Sequence, residues 1–197
     1  MLKIRENLLL LEDFIKKIKP SSILDLGCKE KYLEKVFSFK RYVGIDICNS
    51  ADIKLNLNNI TKLPFKNNSF EVIVASQILE HLFYPLKLIK EIKRISKGYI
   101  IIGLPNEYTY DNRIKFLFGE PIEFDNGYQE FGHHYIFDID SIDQFIKQSF
   151  KEYIIIKKKY LFASTGGRLL PKYIRNYLAR VYPKLFAKEV YYLLKKK

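Results

Sequence analysis

The stretch Ser22-Ile-Leu-Asp-Leu-Gly27 decides the fold of this chain. It is a short apolar run that ends in glycine, which is typical of a buried strand followed by a tight turn. About 20 residues later, Tyr42-Val-Gly-Ile-Asp46 forms a second apolar run that ends in an acid. An acid in that position can accept hydrogen bonds from both hydroxyls of a ribose, so the two strands together predict a nucleoside-containing cofactor.

Strands and helices alternate on both sides of this stretch. Apolar residues at helical spacing predict helices over 2–18, 29–37, 85–95 and 138–148, whereas shorter apolar runs predict further strands over 53–57, 70–75, 99–104 and 153–162. This order predicts an α/β fold: a Rossmann-like, doubly wound, mostly parallel sheet with helices on both faces. In such sheets the ligand lies beyond the carboxyl ends of the strands, where the strand order reverses.

Charge is distributed unevenly along the 197 residues. The formal net charge is +12, from 34 basic and 22 acidic residues. Residues 157–197 contain twelve Lys and Arg and one acid, Glu189, a net charge of +11, which leaves +1 for residues 1–156. This distribution argues against a wholly basic nucleic-acid coat protein and favours a near-neutral domain with a basic C-terminal segment.

Cysteine content and hydropathy exclude further classes of protein. The two cysteines are too few for a disulfide-stapled scaffold or for most structural zinc sites, and we predict no metal site. No apolar run reaches the length of about 18 residues that a transmembrane helix needs. The resulting expectation is a cytoplasmic protein with reduced thiols, either free or peripheral to a membrane.

Two further segments carry a resemblance to a known family. Leu63-Pro-Phe-Lys-Asn-Asn-Ser-Phe-Glu-Val-Ile-Val-Ala-Ser76 is followed directly by Gln77-Ile-Leu-Glu-His-Leu82. Together with Leu24-Asp-Leu-Gly-Cys28 and Val43-Gly-Ile-Asp46, they resemble the class I S-adenosylmethionine-dependent methyltransferases, and most closely the type 11 methyltransferase domain. The resemblance spans residues 20–150 and rests on several motifs in a fixed order.

The resemblance implies S-adenosyl-L-methionine (SAM) as the cofactor and a role for each matched position. It implies that Asp46 binds the ribose, that Ile47 lies against the adenine, and that Asn56-Leu57 contacts the adenine edge. The turn after the first strand would face the methionine part of SAM, and the residues after the fourth strand would line the pocket near the reacting methyl. The residues at these two places are Asp25, Gly27, Cys28, Ser76 and Gln77.

The turn after the first strand departs from the family pattern. The family has Gly-Cys-Gly-x-Gly there, whereas this chain has Gly27-Cys-Lys-Glu-Lys31, so lysines replace two glycines. Side chains at Lys29 and Lys31 would crowd the cofactor unless the backbone keeps an ordinary helical conformation. Either a lysine pairs with the cofactor carboxylate, or the turn no longer binds the cofactor.

Two histidines are candidate catalytic residues. Methyl transfer to a hydroxyl or a similarly protonated group needs a base, and both His81 and His133 are expected on the carboxyl-end face of the sheet. Gly132-His133 followed by Phe137 resembles a Gly-His-x-x-x-Phe stretch of related methyltransferases, which implies that His133 lies over the mouth of the active site. A packing or loop-stabilising role is the alternative for each histidine. Residues 107–136 are predicted to form an inserted lid over the acceptor.

Residues 165–197 are predicted to form a basic, amphipathic helical tail on a methyltransferase-like domain of residues 1–164. Aromatic and apolar residues recur at helical spacing from Tyr173 to Tyr182, and an apolar face continues beyond Pro183 to Lys195-Lys-Lys197. Such a tail can lie on an anionic membrane surface through residues 168–197, or pack against the domain. Nucleic-acid binding ranks below both, because the tail contains no known reading motif.

The sequence therefore favours SAM-dependent methyl transfer to a small-molecule or lipid- or glycan-linked acceptor, with docking at a membrane surface. Two alternatives stay open. One is a non-catalytic module that keeps the fold with an eroded glycine turn, and the other is a methyltransferase that acts on nucleic acid. The sequence specifies neither the acceptor atom nor the oligomeric state.

Overall fold

The computed structural model describes residues 6–120, 132–162 and 171–197. Its strands are β1 (Ser22–Leu26), β2 (Arg41–Asp46), β3 (Ile53–Lys54), β4 (Phe70–Ser76), β5 (Ser96–Pro105), β6 (Tyr153–Phe162) and β7 (Ala187–Lys196). Its helices are α1 (Glu6–Ile18), α2 (Tyr32–Val36), α3 (Pro85–Ile95), α4 (Tyr110–Leu117), α5 (Ile139–Ser149), α6 (Lys172–Val181) and α7 (Pro183–Phe186). Short 3₁₀ turns lie at Leu57–Asn59 and Leu79–His81.

The described strands form one sheet with the order β3-β2-β1-β4-β5-β7-β6. Neighbouring strands from β3 to β5 are parallel, whereas β7 is antiparallel to both β5 and β6. The strand order reverses between β1 and β4, so the loops after these two strands meet at the carboxyl edge of the sheet. The predicted Rossmann-like, mostly parallel α/β fold is confirmed.

Each face of the sheet has its own apolar core, because side chains alternate between the faces along every strand. Leu24 and Leu26 of β1 belong to one buried cluster, whereas Ile23 belongs to the other. α1 covers the second face through four buried side chains at helical spacing: Leu8, Leu11, Phe14 and Ile15. Burial on both faces explains why β1 and β4 are almost continuous apolar runs in the sequence.

Local sequence signals fix the start of helices α5 and α3. Asp138 accepts a hydrogen bond from the Ser141 backbone N–H, and the Ser141 hydroxyl faces the Asp138 backbone in return, which makes a capping box for α5. The predicted start of this helix at residue 138 therefore coincides with its capping residue. Pro85 occupies the first turn of α3, where its missing N–H removes no helical hydrogen bond.

β7 shows that the helical prediction for the end of the chain is wrong. Val190 and Leu193-Leu194 match helical spacing, but Tyr191 and Tyr192 between them are also fully buried. An apolar run that is covered on both faces belongs to an interior strand, and helical periodicity alone does not distinguish the two. The strand lies between β5 and β6, so residues 187–196 of the basic tail are part of the sheet, and Lys188, Lys195 and Lys196 are its exposed residues.

α6 confirms the helix that the sequence predicted from Tyr173 onward. Ala179 is buried and Leu178 packs against the core, whereas Tyr173 is 73% exposed and Tyr177 is 64% exposed. The helix therefore packs on the domain with one face and presents aromatic rings to solvent on another. The predicted boundary between residues 164 and 165 lies outside the described residues. No helix within the described ranges is long and apolar enough to cross a membrane.

Residues 107–120 and 132–136 are the described part of the predicted lid. They contain α4, none of whose side chains is buried, and its Leu117 is 80% exposed. The described part of the predicted lid thus contains a helix, but the apolar side chains of this helix do not fill the core. α4 contacts α7 instead: the ring centroid of Tyr110 lies 5.4 Å from that of Phe186.

Candidate functional site

The turn after β1, residues 27–31 and hereafter the β1 turn, begins with a glycine that no other residue could replace without strain. Gly27 has a φ of 75°, in the left-handed region, and its N–H donates to the Ile45 carbonyl at 2.9 Å. A Cβ at this position would lie 3.1 Å from the side chain of Ile78 in the loop after β4. The two loops at the switch point are therefore in direct contact.

The two lysines of the β1 turn keep the backbone conformation that glycine favours. Lys29 has a φ of 48° and Lys31 a φ of 55°, so the ordinary helical conformation considered for this turn is wrong. The Lys31 ammonium lies 2.7 Å from Asp52 and 2.6 Å from Glu34, and these hydrogen bonds raise the pKa of Lys31. Lys31 is therefore paired within the protein, whereas the side chain of Lys29 is exposed.

Asp46 ties the β1 turn to the end of β2. One carboxylate oxygen accepts the Lys29 backbone N–H at 2.7 Å, and the other accepts those of Ile47 at 2.7 Å and Cys48 at 3.3 Å. A carboxylate has about four acceptor positions, so Asp46 retains capacity for a ribose hydroxyl. Ile47 beside it is 38% exposed, as a residue that lies against a ligand ring would be.

Asp25 is buried within β1 and accepts a hydrogen bond of 2.7 Å from the Tyr42 hydroxyl on β2. Burial raises the pKa of Asp25 to about 7, the bond from Tyr42 opposes this rise, and the charge of Asp46 adds to it. Cys28 is buried as well, which raises the pKa of its thiol to about 12. Cys28 and Cys48 are both free thiols.

The remaining predicted cofactor residues lie at the ends of β3 and β4. Asn56 caps a 3₁₀ turn by accepting the Asn58 N–H at 2.9 Å, and the side chain of Leu57 is buried in the core. Ser76 ends β4, and its hydroxyl lies 3.0 Å from that of Tyr191. Gln77 has a left-handed φ of 54°, and its buried side-chain nitrogen has no hydrogen-bond partner within the described part of the chain. That nitrogen is a donor available to a ligand at the carboxyl edge.

The two candidate catalytic histidines lie against each other. The ring centroids of His81 and His133 are 4.6 Å apart, edge to face. His81 ends the 3₁₀ turn after β4, and its Nδ1 lies 3.3 Å from the Gly132 carbonyl. Nδ1 of His133 lies 2.8 Å from a carboxylate oxygen of Glu107, which follows β5. We call Glu80, His81, Glu107 and His133 the histidine cluster.

Backbone hydrogen bonds bring the three segments of the histidine cluster together. The Glu80 carbonyl accepts the His134 N–H at 2.8 Å, and the Glu107 N–H donates to the Phe137 carbonyl at 2.9 Å. Residues 132–137 are thus held between the loop after β4 and the loop after β5. The side chain of Glu80 is fully buried, and this burial raises its pKa to about 8.

Glu107 is the member of the histidine cluster that lies in hydrogen-bond contact with His133 and that the sequence analysis did not select. It follows Pro105-Asn106 at the end of β5, and an acid at the carboxyl end of a central strand was the available signal. Glu80 was noted only as part of a Glu-His motif. Both acids become conspicuous only through their positions beside His133.

A comparison with protein-family models shows the family of this chain. The methyltransferase domain family matches residues 2–149, well over half of the chain. An uncharacterised protein of Methanocaldococcus jannaschii is 33% identical over 107 residues, which are 50% of this chain and 47% of that protein. An uncharacterised methyltransferase of Schizosaccharomyces pombe is 35% identical over 66 residues, 28% of this chain and 24% of that protein. The matched regions thus span half or less of these curated relatives.

A solved structure shows the same fold over nearly the whole chain. The SAM-dependent methyltransferase from Archaeoglobus fulgidus aligns with a TM-score of 0.57 and 16% sequence identity, covering 96% of this chain and 92% of that one. The strand order, the left-handed β1 turn and the acid at the end of β2 occur in a chain that this family matches over residues 2–149. The chain belongs to the methyltransferase domain family and has the class I SAM-dependent methyltransferase fold.

Proposed function

We propose that this chain transfers the methyl group of SAM to a protonated nucleophile on a small-molecule or lipid- or glycan-linked acceptor. The observation that carries the proposal is the contact of 2.8 Å between His133 and Glu107 at the carboxyl edge. A histidine held by a carboxylate on one nitrogen can act on an acceptor through the other.

The residues at the carboxyl edge fit SAM. Asp46 has acceptor capacity for a ribose hydroxyl, Ile47 offers an exposed apolar surface to the adenine, and the buried nitrogen of Gln77 offers an unsatisfied donor. Gly27 allows close approach of the backbone. When bound, SAM supplies a methyl group on a sulfonium that needs no further activation. The protein has mainly to align the acceptor with it and to exclude water.

His133 is the residue that we assign to the acceptor proton. If its Nδ1 carries the hydrogen and donates to Glu107, Nε2 is the basic nitrogen. Nε2 then accepts the proton of a hydroxyl or similarly protonated group, and Glu107 stabilises the resulting imidazolium. His81 packs edge-on against this ring and restricts its orientation.

Exposed apolar side chains on α4 and α6 support an acceptor with a lipid part. α4 presents Phe116 and Leu117 to solvent, and α6 presents Tyr173 and Tyr177. Both helices lie close to α7, as the contact between Tyr110 and Phe186 shows for α4. Aromatic and aliphatic side chains on an exposed surface are suited to the interface of a membrane, where a lipid-linked acceptor would be located.

The test is methyl transfer from radiolabelled SAM into a cell extract separated into lipid and aqueous fractions. We expect the label in an organic-soluble product, and no label with His133→Asn. Label in the aqueous fraction alone would support a small-molecule acceptor and reject the lipid part of the proposal. No transfer to either fraction, from folded protein that binds SAM, would reject the proposed function.

One observation favours the alternative of a non-catalytic module. Lysines occupy two left-handed positions of the β1 turn, where they add bulk beside the cofactor site. Calorimetry with S-adenosylhomocysteine separates the two functions. Binding in the micromolar range supports the enzyme, whereas no heat up to about 1 mM ligand supports the module.

A further inference from the structure

Three side chains of metal-ligating type converge in the histidine cluster. Glu80, His81 and His133 each offer one ligand atom, and these atoms all lie within 4.8 Å of one another. Ligand atoms bound at about 2.0–2.2 Å to a common ion lie no more than about 4.4 Å apart. The three side chains therefore need to shift by well under about 1 Å to share an ion.

The carboxylate of Glu80 supplies a second and independent observation. The residue is fully buried, and neither of its carboxylate oxygens has a hydrogen-bond partner in any other residue that the structure describes. A buried carboxylate without a partner is among the more costly features that a fold can contain. Such groups are retained where something absent from the protein chain satisfies them, and a cation is the obvious complement to a carboxylate.

The surrounding charges also favour a cation. Glu107 and Glu189 are close enough to act electrostatically on Glu80, and their charges have the same sign as its own. Among the described neighbours, His133 acts on Glu80 in the opposite sense. A divalent ion at the centre of these acids would relieve their mutual repulsion.

Contacts of Nδ1 leave Nε2 as the ligand atom on each histidine. Nδ1 of His133 lies 2.8 Å from Glu107, and Nδ1 of His81 lies 3.3 Å from the Gly132 carbonyl. Both partners are acceptors, which places the ring hydrogen on Nδ1 and the lone pair on Nε2. Metal-binding histidines usually donate their other ring N–H to a carboxylate or a backbone carbonyl in this way.

From these contacts we infer that Glu80, His81 and His133 form a binding site for one divalent first-row transition-metal ion, with Glu107 positioning His133. Two imidazoles and one carboxylate suit Zn²⁺, Co²⁺, Mn²⁺ or Fe²⁺, whereas Mg²⁺ and Ca²⁺ prefer oxygen ligands alone. Three protein ligands leave coordination positions for a substrate oxygen. The sequence analysis predicts no metal site, because the chain has only two cysteines. The three ligands proposed here include residues that lie far apart in the sequence.

The metal site deepens the proposed function. Its role in binding the acceptor rests on that function, whereas the binding of the metal ion does not. With an ion bound, Nε2 of His133 is a ligand and not a base. The ion then holds the acceptor oxygen and favours loss of its proton to solvent. The role of the protein is to hold the ion at the carboxyl edge of the sheet, where the acceptor would bind.

Titration of the chelator-treated full chain with Co²⁺ and Zn²⁺, in the absence of SAM and acceptor, tests the inference. We expect one equivalent of Zn²⁺ to bind by calorimetry with a micromolar or tighter Kd, and Co²⁺ to give visible absorption bands that Zn²⁺ abolishes. Glu80→Gln and His133→Asn should each weaken binding at least tenfold. Circular dichroism and binding of S-adenosylhomocysteine show whether each variant is folded.

His134→Asn is the matched control. His134 is also a histidine and is adjacent to His133 in the sequence. It stacks on Phe83, with ring centroids 4.1 Å apart, and is not one of the three proposed ligands. Its replacement should leave the affinity for Zn²⁺ unchanged. Equal loss of affinity in His134→Asn and His133→Asn would overturn the assignment of ligands.

Two results would overturn the site itself: no binding of either ion up to about 1 mM, or binding that Glu80→Gln and His133→Asn leave unchanged. The measurement is separate from the proposed function. Methyl transfer by protein that binds no metal rejects the metal site and leaves the enzyme standing. Metal binding without methyl transfer does the reverse.

Discussion

The β1 turn and the histidine cluster lie at the same edge of the sheet, yet they are built in different ways. The β1 turn is held through its backbone: Gly27 donates to Ile45, Lys29 donates to Asp46, and two lysines keep left-handed φ values. Backbone hydrogen bonds also bring together the three segments of the histidine cluster, but its own contacts are made between side chains of those segments. The backbone geometry of the β1 turn, on the proposed cofactor side, is therefore kept when lysines replace glycines. The contacts of the histidine cluster, on the proposed acceptor side, depend on the identity of each side chain.

The largest expected effect is on the acceptor side. His133→Asn removes the nitrogen that acts on the acceptor, whether as a base or as a metal ligand, so the rate of methyl transfer should fall at least about 100-fold. The affinity for S-adenosylhomocysteine should stay within about twofold of wild type, because the β1 turn is intact. The measurement is kcat with labelled SAM alongside calorimetry. An equal fall in cofactor affinity would show that the two regions are not separate.

The second effect concerns stability on the cofactor side. The pKa of Asp25 is about 7 in the folded chain against 3.8 as the ordinary value, so the unfolded chain binds fewer protons between these pH values. Asp25 therefore lowers stability as pH rises from about 4 to about 7, by up to about 4 kcal/mol. Glu80, whose pKa is raised to about 8, adds its own fall over an overlapping range that extends to about pH 8 and is the same in wild type and in Asp25→Asn. Asp25→Asn should remove the fall that Asp25 causes. Urea unfolding near pH 5 and near pH 8 measures it.

Asp13→Asn is the control for that experiment. Hydrogen bonds from Lys157 and Lys159 lower the pKa of Asp13 to about 2, so its contribution is present above the ordinary value and is lost as pH falls through about 2. Its replacement should not flatten the profile between about pH 4 and pH 7. If Asp25→Asn keeps the wild-type profile, the carboxyl of Asp25 is not the group that causes it.

The third effect is on cofactor affinity. Asp46→Ala should weaken binding of S-adenosylhomocysteine by about tenfold to 100-fold, because it removes the proposed ribose acceptor and three hydrogen bonds, one to the β1 turn and two to the residues after β2. Asp46→Asn keeps one carbonyl acceptor and should lose less. Metal binding should be unchanged in both. Equal affinity in Asp46→Ala and wild type would remove Asp46 from the cofactor site.

The smallest effect tests the strain in the β1 turn. A left-handed conformation costs a residue with a Cβ about 1 kcal/mol more than it costs glycine. Lys29→Gly should therefore raise the free energy of unfolding by about 1 kcal/mol, whereas Lys29→Ala should not. Lys31→Gly should gain less, because it also removes the contacts with Asp52 and Glu34. No gain in Lys29→Gly would mean that the turn relaxes without strain.

Much of the carboxyl edge could be predicted from local pattern. Gly27 and Asp46 follow short apolar runs, and their positions at the ends of β1 and β2 need only the strand assignment and the parallel order. The helix cap at Asp138 and the Pro85 start of α3 are equally local. These features were predicted because each depends on a few consecutive residues.

The histidine cluster could be predicted only in part. His81 and His133 were selected, but Glu107 was not, because nothing in the sequence places it against His133. That contact depends on the hydrogen bond from the His134 N–H to the Glu80 carbonyl, which holds one loop on another. The pairing of Lys31 with Asp52 and Glu34 is likewise a product of the folded chain.

The sequence by itself determined the α/β class, the order of strands β1 to β6, and the positions of Gly27 and Asp46 at the ends of β1 and β2. Those features are encoded by periodicity and turn residues within short windows. Only the tertiary structure decided that the basic C-terminal segment ends as strand β7, between β5 and β6. Its five consecutive buried residues, 190–194, have no period of their own, and burial on both faces of a sheet is a property of the neighbours and not of the run.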